Sequence, residues 1–474
     1  MPAPTGDAEP DAPEQPEAAG ADRPAADADR DASPDDTGFP FPPAPAPPRT
    51  GAPVLTEADI PPARHGRLAR RSTARTIAKV VGAAVAVVAV SATAVTAYAV
   101  GNLVRAIQPG VVFEGEEILA DVPDIGAMEG GLNFLLVGSD KRPEDGSFGD
   151  PDIDSAELND VTMLLHISQD HTHVEVVSFP RDMLVDVPEC PDPADASNTL
   201  PAGYGLKLNQ VLSWGGLPCV ARTIEELTGV TIPVGGIVQF KGVAALSEAV
   251  GGVEVCLIDP IDDPRSGLKL EAGRQSISGY TALAFLRTRH GIGDGSDLGR
   301  IAAQQAFLAS LARTLQSSGT LGNPVKLYGI AQAVLQNMTL STSLQDPVRL
   351  VSIARTIGDV DLGKIAFIQY PTAYTWDFSA VEPTASAEIV NRALQEDEPV
   401  VFAPDAGDDA SYGTVTPDDA TTQPTDAAAA PPTTDPAATP GATAPATTPP
   451  AEQLPGDVTG QTAEDERCAA ANPG

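Results

Sequence analysis

Positive charge is scarce in this chain: 29 Lys and Arg stand against 65 Asp and Glu, a formal net charge of −36. That balance argues against non-specific binding of nucleic acid or anionic lipid by the chain as a whole, so no nucleic-acid partner is expected. Cysteine is scarce too. Cys190, Cys219, Cys256 and Cys468 are the four, and no CxxC occurs, so a zinc ribbon or thioredoxin-type site has no support. The motifs GxxxxGK[ST], GxSxG and HExxH are missing, as is a Cys/His nucleophile arrangement, which removes the common nucleotide-binding and hydrolase readings. No internal repeat is visible.

Aliphatic periodicity is missing from both ends. Residues 1–63 are Pro, Ala and Asp, and residues 399–460 are Ala, Thr, Pro and Asp. Neither composition buries enough apolar surface to offset chain entropy. Disorder is therefore expected over 1–75, a cytoplasmic region with a basic juxtamembrane end, and over 399–474, a tail whose monotony breaks only in its terminal Cys468 segment. The foldable part runs from about 110 to 398, enough for one substantial core. After a linker at 105–127, the outer domain is expected at 128–398.

The one long uncharged run lies between these regions. From Val80 to Val104 there is no charged side chain, and a span at 76–104 is long enough to cross a bilayer as one helix. Arg64, Arg67, Arg70, Arg71, Arg75 and Lys79 stand just before it. The positive-inside rule then keeps the N-terminus in the cytoplasm and puts the rest outside, as a single-pass cell-membrane protein with an extracellular domain. A cleaved signal peptide is disfavoured, because a long stretch precedes the run and the run exceeds a signal core.

All four cysteines follow the span, in a compartment where disulfides persist. Cys190–Cys219 is the favoured pair, stapling a Pro-rich loop to the start of a helix. Cys256 and Cys468 either tie the C-terminus back to the domain or remain free thiols.

The outer region alternates in type. "LNFLLVGSD" (132–140), "DVTMLLHIS" (160–168) and "HVEVVSFP" (173–180) read as three strands. His171 and His173 sit between the last two, where an exposed hairpin turn is expected rather than a metal site. Helical spacing marks 217–229, 240–252, a segment opening at Gly279, 297–316 and two later stretches, with strands at "VEVCLID" and "KIAFIQYPT". Interspersed strands and helices argue an α/β fold, a mixed β-sheet layered between helices.

The polar residues gather at strand ends, where an α/β sheet presents its working groups. "GSDKR" brings Asp140, Lys141 and Arg142; "LND" brings Asn159 and Asp160; "FPRD" brings Arg181 and Asp182. The stretch "FLRTRHGIGDGSDLGRIAAQQ" (285–305) adds Arg287, Arg289, Asp297, Arg300 and Gln304. An RxR pair taken singly is ordinarily a solvated face. Here Gly291, Gly293 and Gly295 offer little side chain to bury, so the arginines converge on something other than a core. Arginine's planar fork matches phosphate oxygens, and neighbouring aspartates suit Mg²⁺. Together they describe phosphoryl transfer from a diphosphate, where the task is to neutralise and align charge.

These residues resemble the LytR-CpsA-Psr family of cell-envelope proteins, actinobacterial in type. "NFLLVGSDKR", "NDVTMLLHIS", "SFPRDMLVDVP", "LNQVLSWGG", "GGVEVCLIDPIDD" and "ALAFLRTRHGIGDGSDLGRIAAQQ" occur in the family's order over about 133–310. The resemblance implies a three-layer α/β/α sandwich with an apolar groove for a polyprenyl tail. It implies transfer of a glycopolymer phosphate from a polyprenyl-diphosphate-linked glycopolymer to a peptidoglycan acceptor. Family Mg²⁺-binding aspartates fall on Asp140 and Asp160, and its arginines on Arg181, Arg287, Arg289 and Arg300, with Gln304 on the same helix as the last. Many members carry an arginine where this chain has Leu158, so one phosphate contact is either lost here or supplied by Lys141 or Arg142. Two further departures are Val161, which intervenes before Thr162, and Ala303 in place of an arginine. Asp182 and Asp297 are the candidate bases for the acceptor hydroxyl proton. The competing readings are a non-catalytic scaffold or regulator that binds polyprenyl phosphate or wall polymer, and a diphosphatase in which water replaces the sugar hydroxyl.

Overall fold

The computed structural model describes residues 73–105, 108–113, 115, 131–142, 157–317, 319–320, 323–404, 406, 413–416 and 451–472. The disorder expected over 1–72 and 417–450, and most of the expected linker, lie outside the described residues. The chain divides into a unit of 1–79, of which only the first residues of one helix are described, and a unit of 80–474.

That helix, α1 (Thr73–Arg105), is apolar, and its residues 73–95 are exposed. Its Thr73–Val95 portion is the one helix among the described residues long and apolar enough to cross a membrane. Thr93 sits inside that portion and donates its hydroxyl to Ala89 O at 2.8 Å. The helix backbone thus satisfies a polar group that lipid cannot.

The larger unit is built on a mixed seven-stranded sheet. Its strands are β1 (Leu132–Ser139), β2 (Asn159–Ile167), β3 (Val174–Phe179), β4 (Val234–Val238), β5 (Met338–Leu340), β6 (Ile365–Gln369) and β7 (Gly460–Thr462), in the order β5-β4-β1-β2-β3-β6-β7. The pairs β4/β1 and β3/β6 are parallel and the others antiparallel. Strands β1, β3, β4 and β6 therefore end at one edge. On one face α2 (Val211–Thr228) and α8 (Ala387–Glu396) pack through Val220, Ile224, Val390 and Leu394 onto Leu135, Leu164 and Val177. On the other, α5 (Asp297–Ser317), α6 (Pro324–Asn337) and α7 (Pro347–Asp359) cover Met163, Val176 and Phe367. The period-2 alternation of the strands feeds both faces, which is why they read as continuous apolar runs. The result is three layers, α/β/α.

A smaller sheet at 253–257 and 273–277 packs with α4 (Gly279–Arg287) and α5 around Phe285 and Phe307. With α3 (Phe240–Val250), these elements flank the strand ends. Gly229 and Gly251 close α2 and α3 at φ of 75° and 100°, left-handed positions that glycine takes without strain.

Two expectations are corrected. The segment 399–474 is not a structureless tail throughout. Residues 460–462 add β7 to the sheet, Cys468–Ala469 runs parallel to Cys256–Leu257, and Leu454, Val458 and Ala463 are buried. Cys256 and Cys468 are joined rather than free, and Cys190 is joined to Cys219. Thr/Pro monotony conceals this segment because its apolar residues are isolated and gain burial only from a distant sheet edge. The Cys190–Cys219 bridge occupies space that Gly215 leaves, since a Cβ there would lie 2.7 Å from Cys219 Sγ.

The second correction concerns the β2–β3 connection. His171 is in the turn at φ 57°, but His173 is buried against Glu175, its Nδ1 2.9 Å from Oε1. Burial opposes charge on His173, yet Glu175, Asp397 and Asp170 outweigh it and raise its pKa above 6.5. A group raised on folding stabilises fully below its unfolded value and loses that contribution as pH climbs through the folded one. Denaturant unfolding from below pH 6.5 upward should therefore show stability falling in the wild type. The same series in His173→Gln should be flat over that window; parallel curves would refute the pairing.

Candidate active site

The end of the sheet where β1 and β3 finish carries the polar cluster. Asp140 follows β1, and its Oδ1 accepts the Leu158 N–H at 2.8 Å. In the β1–β2 register Gly138 faces Val161 and Ser139 faces Asn159, so Asp160 is an unpaired extra residue. The bulge falls immediately before Val161. An inserted residue bends the strand and re-aims its side chain, here toward β3's end. Asn159 turns inward, donating to Thr162 and accepting from the Leu212 N–H.

After β3, Pro180 starts a turn that sets Arg181 between three carboxylates. Its Nη1 donates to Asp160 Oδ1 at 2.5 Å, and its Nε lies 3.4 Å from Asp182 and 3.8 Å from Asp297. Burial opposes this guanidinium's charge, but the three aspartates outweigh it and raise its pKa. Asp182 also takes Lys207 Nζ at 2.9 Å. Burial alone would raise the Asp182 pKa; Lys207 and Arg181 hold it below the usual carboxylate value instead.

The RTR run explains itself once its backbone is seen. Helix α4 ends at Arg287, and Thr288 is extended at φ −62°, ψ 136°. Alternation then sends Thr288 one way and both arginines the other. Thr288 is fully buried on Asp263, its hydroxyl 2.5 Å from Oδ2. Arg289 Nη2 lies 4.0 Å from Asp160, and its Nε 3.9 Å from Asp297. Arg287 stacks over the Phe240 ring at 4.2 Å, a cation–π contact. Burial lowers the pKa of both, reinforced at Arg289 by Arg300 and Arg181 and at Arg287 by Arg142. Asp160 and Asp140 work the other way on Arg287.

Helix α5 completes the cluster. Asp297 is its first residue, where the helix dipole favours an anion. Arg300, 4% exposed, places Nη2 2.5 Å from Asp297 Oδ1 and donates to the Asp160 carbonyl at 2.8 Å. The Asp297 pair is close but off hydrogen-bonding angle. Both Asp297 oxygens, Arg181 Nε, Arg300 Nε and Asn209 Oδ1 are buried without a hydrogen-bond partner. Such groups are few in folded proteins, and their gathering here marks a site with unspent binding capacity.

An apolar groove leads into this cluster. A cavity of about 180 Å³ is walled by Val161 and Met163 of β2, Val243 and Leu246 of α3, Leu283 and Leu286 of α4 and Leu308 of α5. Its polar end is Asp160, Arg287 and Arg300. Several wall residues are half-exposed aliphatics, which soluble domains ordinarily bury.

Arg181, Arg287, Arg289, Arg300, Asp160, Asp182 and Asp297 are thus brought together. Arg142 lies near enough to Arg287 to disfavour its charge. Lys141 stands at the rim, 3.3 Å from Glu157 and 58% exposed. A pair so exposed contributes under about 1 kcal/mol and does not fix the lysine. Gln304 donates to Leu286 O at 3.0 Å, fastening α5 to the last turn of α4. Lys207, Phe240 and Asn209 went unassigned from sequence. Each stands in an apolar helical or strand segment whose periodicity gives no hint of the partner it meets.

The C-terminal segment reaches the same loop. Gly293 N–H donates to Ala470 O at 3.0 Å, Asn472 N–H to Gly291 O at 3.2 Å, and Ile292 pairs with Ala471. The Cys256–Cys468 bridge, closing a separation of 212 residues, tethers that clamp. Replacing both by serine (Cys256→Ser/Cys468→Ser) should lower unfolding free energy by about 2–4 kcal/mol in denaturant titration. Hydrogen exchange at Ile292 and Gly293 should accelerate while β1–β3 amides stay protected. Unchanged exchange at the loop would remove the clamp.

Comparison with known proteins follows the same residues. The LytR_cpsA_psr family model matches residues 112–395. The cell wall biosynthesis protein LcpA of Corynebacterium glutamicum is 30% identical over 329 residues, 63% of this chain. That match spans 61% of LcpA, less than two thirds of its length. The polyisoprenyl-teichoic acid–peptidoglycan teichoic acid transferase TagT of Bacillus subtilis is 24% identical over 330 residues, 67% of this chain and 94% of its own. Among solved structures, a LytR-Csp2A-Psr enzyme from Actinomyces oris aligns at TM-score 0.42 and 22% identity over 57% of this chain and 91% of its own.

Proposed function

The chain belongs to the LytR_cpsA_psr family, and on that premise we propose that it is a membrane-anchored phosphotransferase moving a glycopolymer phosphate from a polyprenyl-diphosphate carrier to peptidoglycan. The observation that carries this reading is an apolar groove ending on Arg287 and Arg300, with Arg181 and Arg289 beside them. The groove suits a polyprenyl chain, and four guanidinium groups suit two linked phosphates. The basic residues before α1 support an N-terminus in the cytoplasm and the site outside.

In the proposed step an acceptor hydroxyl oxygen bonds to the phosphorus that bears the glycopolymer. The bond from that phosphorus to the bridging oxygen breaks, and polyprenyl phosphate leaves with the electron pair. Arg287 and Arg289 face the charge that grows on the leaving phosphate. Arg181 and Arg300, fixed by Asp160 and Asp297, orient the phosphorus for in-line attack. Asp182 stays ionised beside Lys207 and receives the hydroxyl proton; Asp297 positions arginines.

Asp140 and Asp160 are the residues that would hold Mg²⁺ in this reading. They are an all-oxygen pair at adjoining strand ends, and the charge of both is felt at Arg287. A hard cation takes one or two carboxylates and completes its shell with phosphate oxygens and water. Bound there, it would supply neutralisation of the diphosphate.

Full-length protein with a lipid-diphosphate glycan, stripped peptidoglycan and Mg²⁺ should release polyprenyl phosphate as glycan joins the wall polymer. Arg287→Ala and Arg289→Ala should each slow release by about 10²-fold or more, and chelation should stop it. Unchanged turnover in both variants would sink the assignment. Lipid binding with no release in the wild type would favour a scaffold.

A further inference from the structure

At Asp182 and Lys207, which do not line the groove, the cluster meets a small hairpin whose tip is aromatic. Thr372–Tyr374 pairs with Val381–Pro383, and the turn between them carries Trp376, 91% exposed, and Phe378, 76% exposed. Large apolar groups so exposed are unusual on a folded surface. The turn that carries them is braced. Asp377 accepts from Thr375 Oγ1 at 2.7 Å and from Ser379 Oγ at 3.0 Å, and Phe378 sits at φ +58°. A left-handed phenylalanine costs about 1 kcal/mol or more, and the surrounding turn must enforce it. The Phe378 ring lies 5.7 Å from that of Tyr374.

The hairpin is wired to the reacting groups. Lys207 Nζ donates to Ser379 O at 2.8 Å and to Asp182 at 2.9 Å. Val381 N–H donates to Asp182 O at 3.2 Å. Burial raises the pKa of Tyr374, and Asp294, Asp297 and Asp182 lie near enough to push it the same way, with Ser296 opposing them. The contacts run from groove to Asp160, Arg181, Asp182, Lys207 and the hairpin. In-line transfer puts the attacking oxygen opposite the leaving one. The lipid phosphate leaves on the groove side, so the nucleophile arrives on the hairpin side.

We propose that Tyr374, Trp376 and Phe378 form the acceptor subsite, a stacking platform for the pyranose rings of an N-acetylhexosamine glycan strand. This rests on the phosphotransferase reading above. Sugar rings present faces of C–H bonds that stack on aromatic rings, which keep an apolar face and a rigid shape. The charge around the platform selects the occupant. Asp377 is held ionised by Thr375 and Ser379, Glu382 is exposed on the same hairpin, and Asp294 faces Tyr374. An anionic bilayer surface would be repelled; a sugar ring would not.

The chain has two tryptophans, Trp214 and Trp376, so in Trp214→Phe the emission comes from Trp376 alone. Full-length Trp214→Phe protein in nanodiscs would be titrated with β-1,4-linked N-acetylhexosamine oligosaccharides from stripped peptidoglycan, and separately placed in nanodiscs of brominated phosphatidylglycerol. A saturable emission change with oligosaccharide and no quenching by bromolipid is expected. Bromolipid quenching without a saccharide response would make the platform a bilayer anchor and overturn the proposal, as would silence to both. In turnover, Trp376→Ala/Phe378→Ala should raise the acceptor concentration for half-maximal rate roughly tenfold, the scale on which losing an aromatic anchor acts. Trp376→Tyr should restore most of it, and acceptor-independent release of polyprenyl phosphate to water should not change. Loss of that release as well would overturn a subsite role. Because the fluorescence titration needs no turnover, absence of phosphotransfer in every variant would count against the reaction and not against saccharide binding.

Discussion

Guanidinium groups repel one another, and the end of this sheet gathers four of them in a partly buried space. That constraint governs the architecture around it. Arg289 has its charge opposed by burial and by both Arg300 and Arg181. The cluster persists because Asp160, Asp182 and Asp297 are interleaved with it, each delivered by a different element: a bulged strand, a turn after Pro180, and the first residue of a helix. Remove one carboxylate and an arginine is left desolvated beside like charges. The carboxylates are therefore as much a part of anion binding as the arginines they hold.

The same constraint explains which side chains are saturated and which are not. Thr288, Gln304 and Asn159 are each hydrogen-bonded and leave no buried polar atom without a partner. Asp297, Arg181 and Arg300 keep atoms without partners. Positioning groups spend their capacity inward, and the groups they position retain capacity toward whatever enters.

Much of this was legible in the sequence. The apolar runs of β1–β3 and the helical spacing of α3–α7 placed the elements to within a few residues, because each buries a face with its own period; α2 was read only from its kink at Gly216 onward. The strand-end aspartates and the RTR run were visible as polar residues where apolar ones were due. What sequence did not reveal is pairing across distance. Val161 looked like a departure from a motif and is the residue next to a bulge, a feature defined only by the register of β1 against β2. Lys207, Phe240 and the aromatic hairpin carry no local sign of their neighbours. His173 looked exposed because its neighbours are polar, yet it is buried just before β3 with Glu175 of that strand as its partner.

The C-terminal segment was the largest omission, and its placement says something about time as well as space. The loop bearing Arg289 and Asp297 is braced by Ala470 and Asn472. A ribosome delivers those braces only after every other part of the site has been made. Strands β1–β6, the groove and the Cys190–Cys219 staple all precede those braces in the chain. The arginine loop cannot be locked until Ala470 and Asn472 have reached it, so its competence reports that the segment around Cys468 has joined the domain.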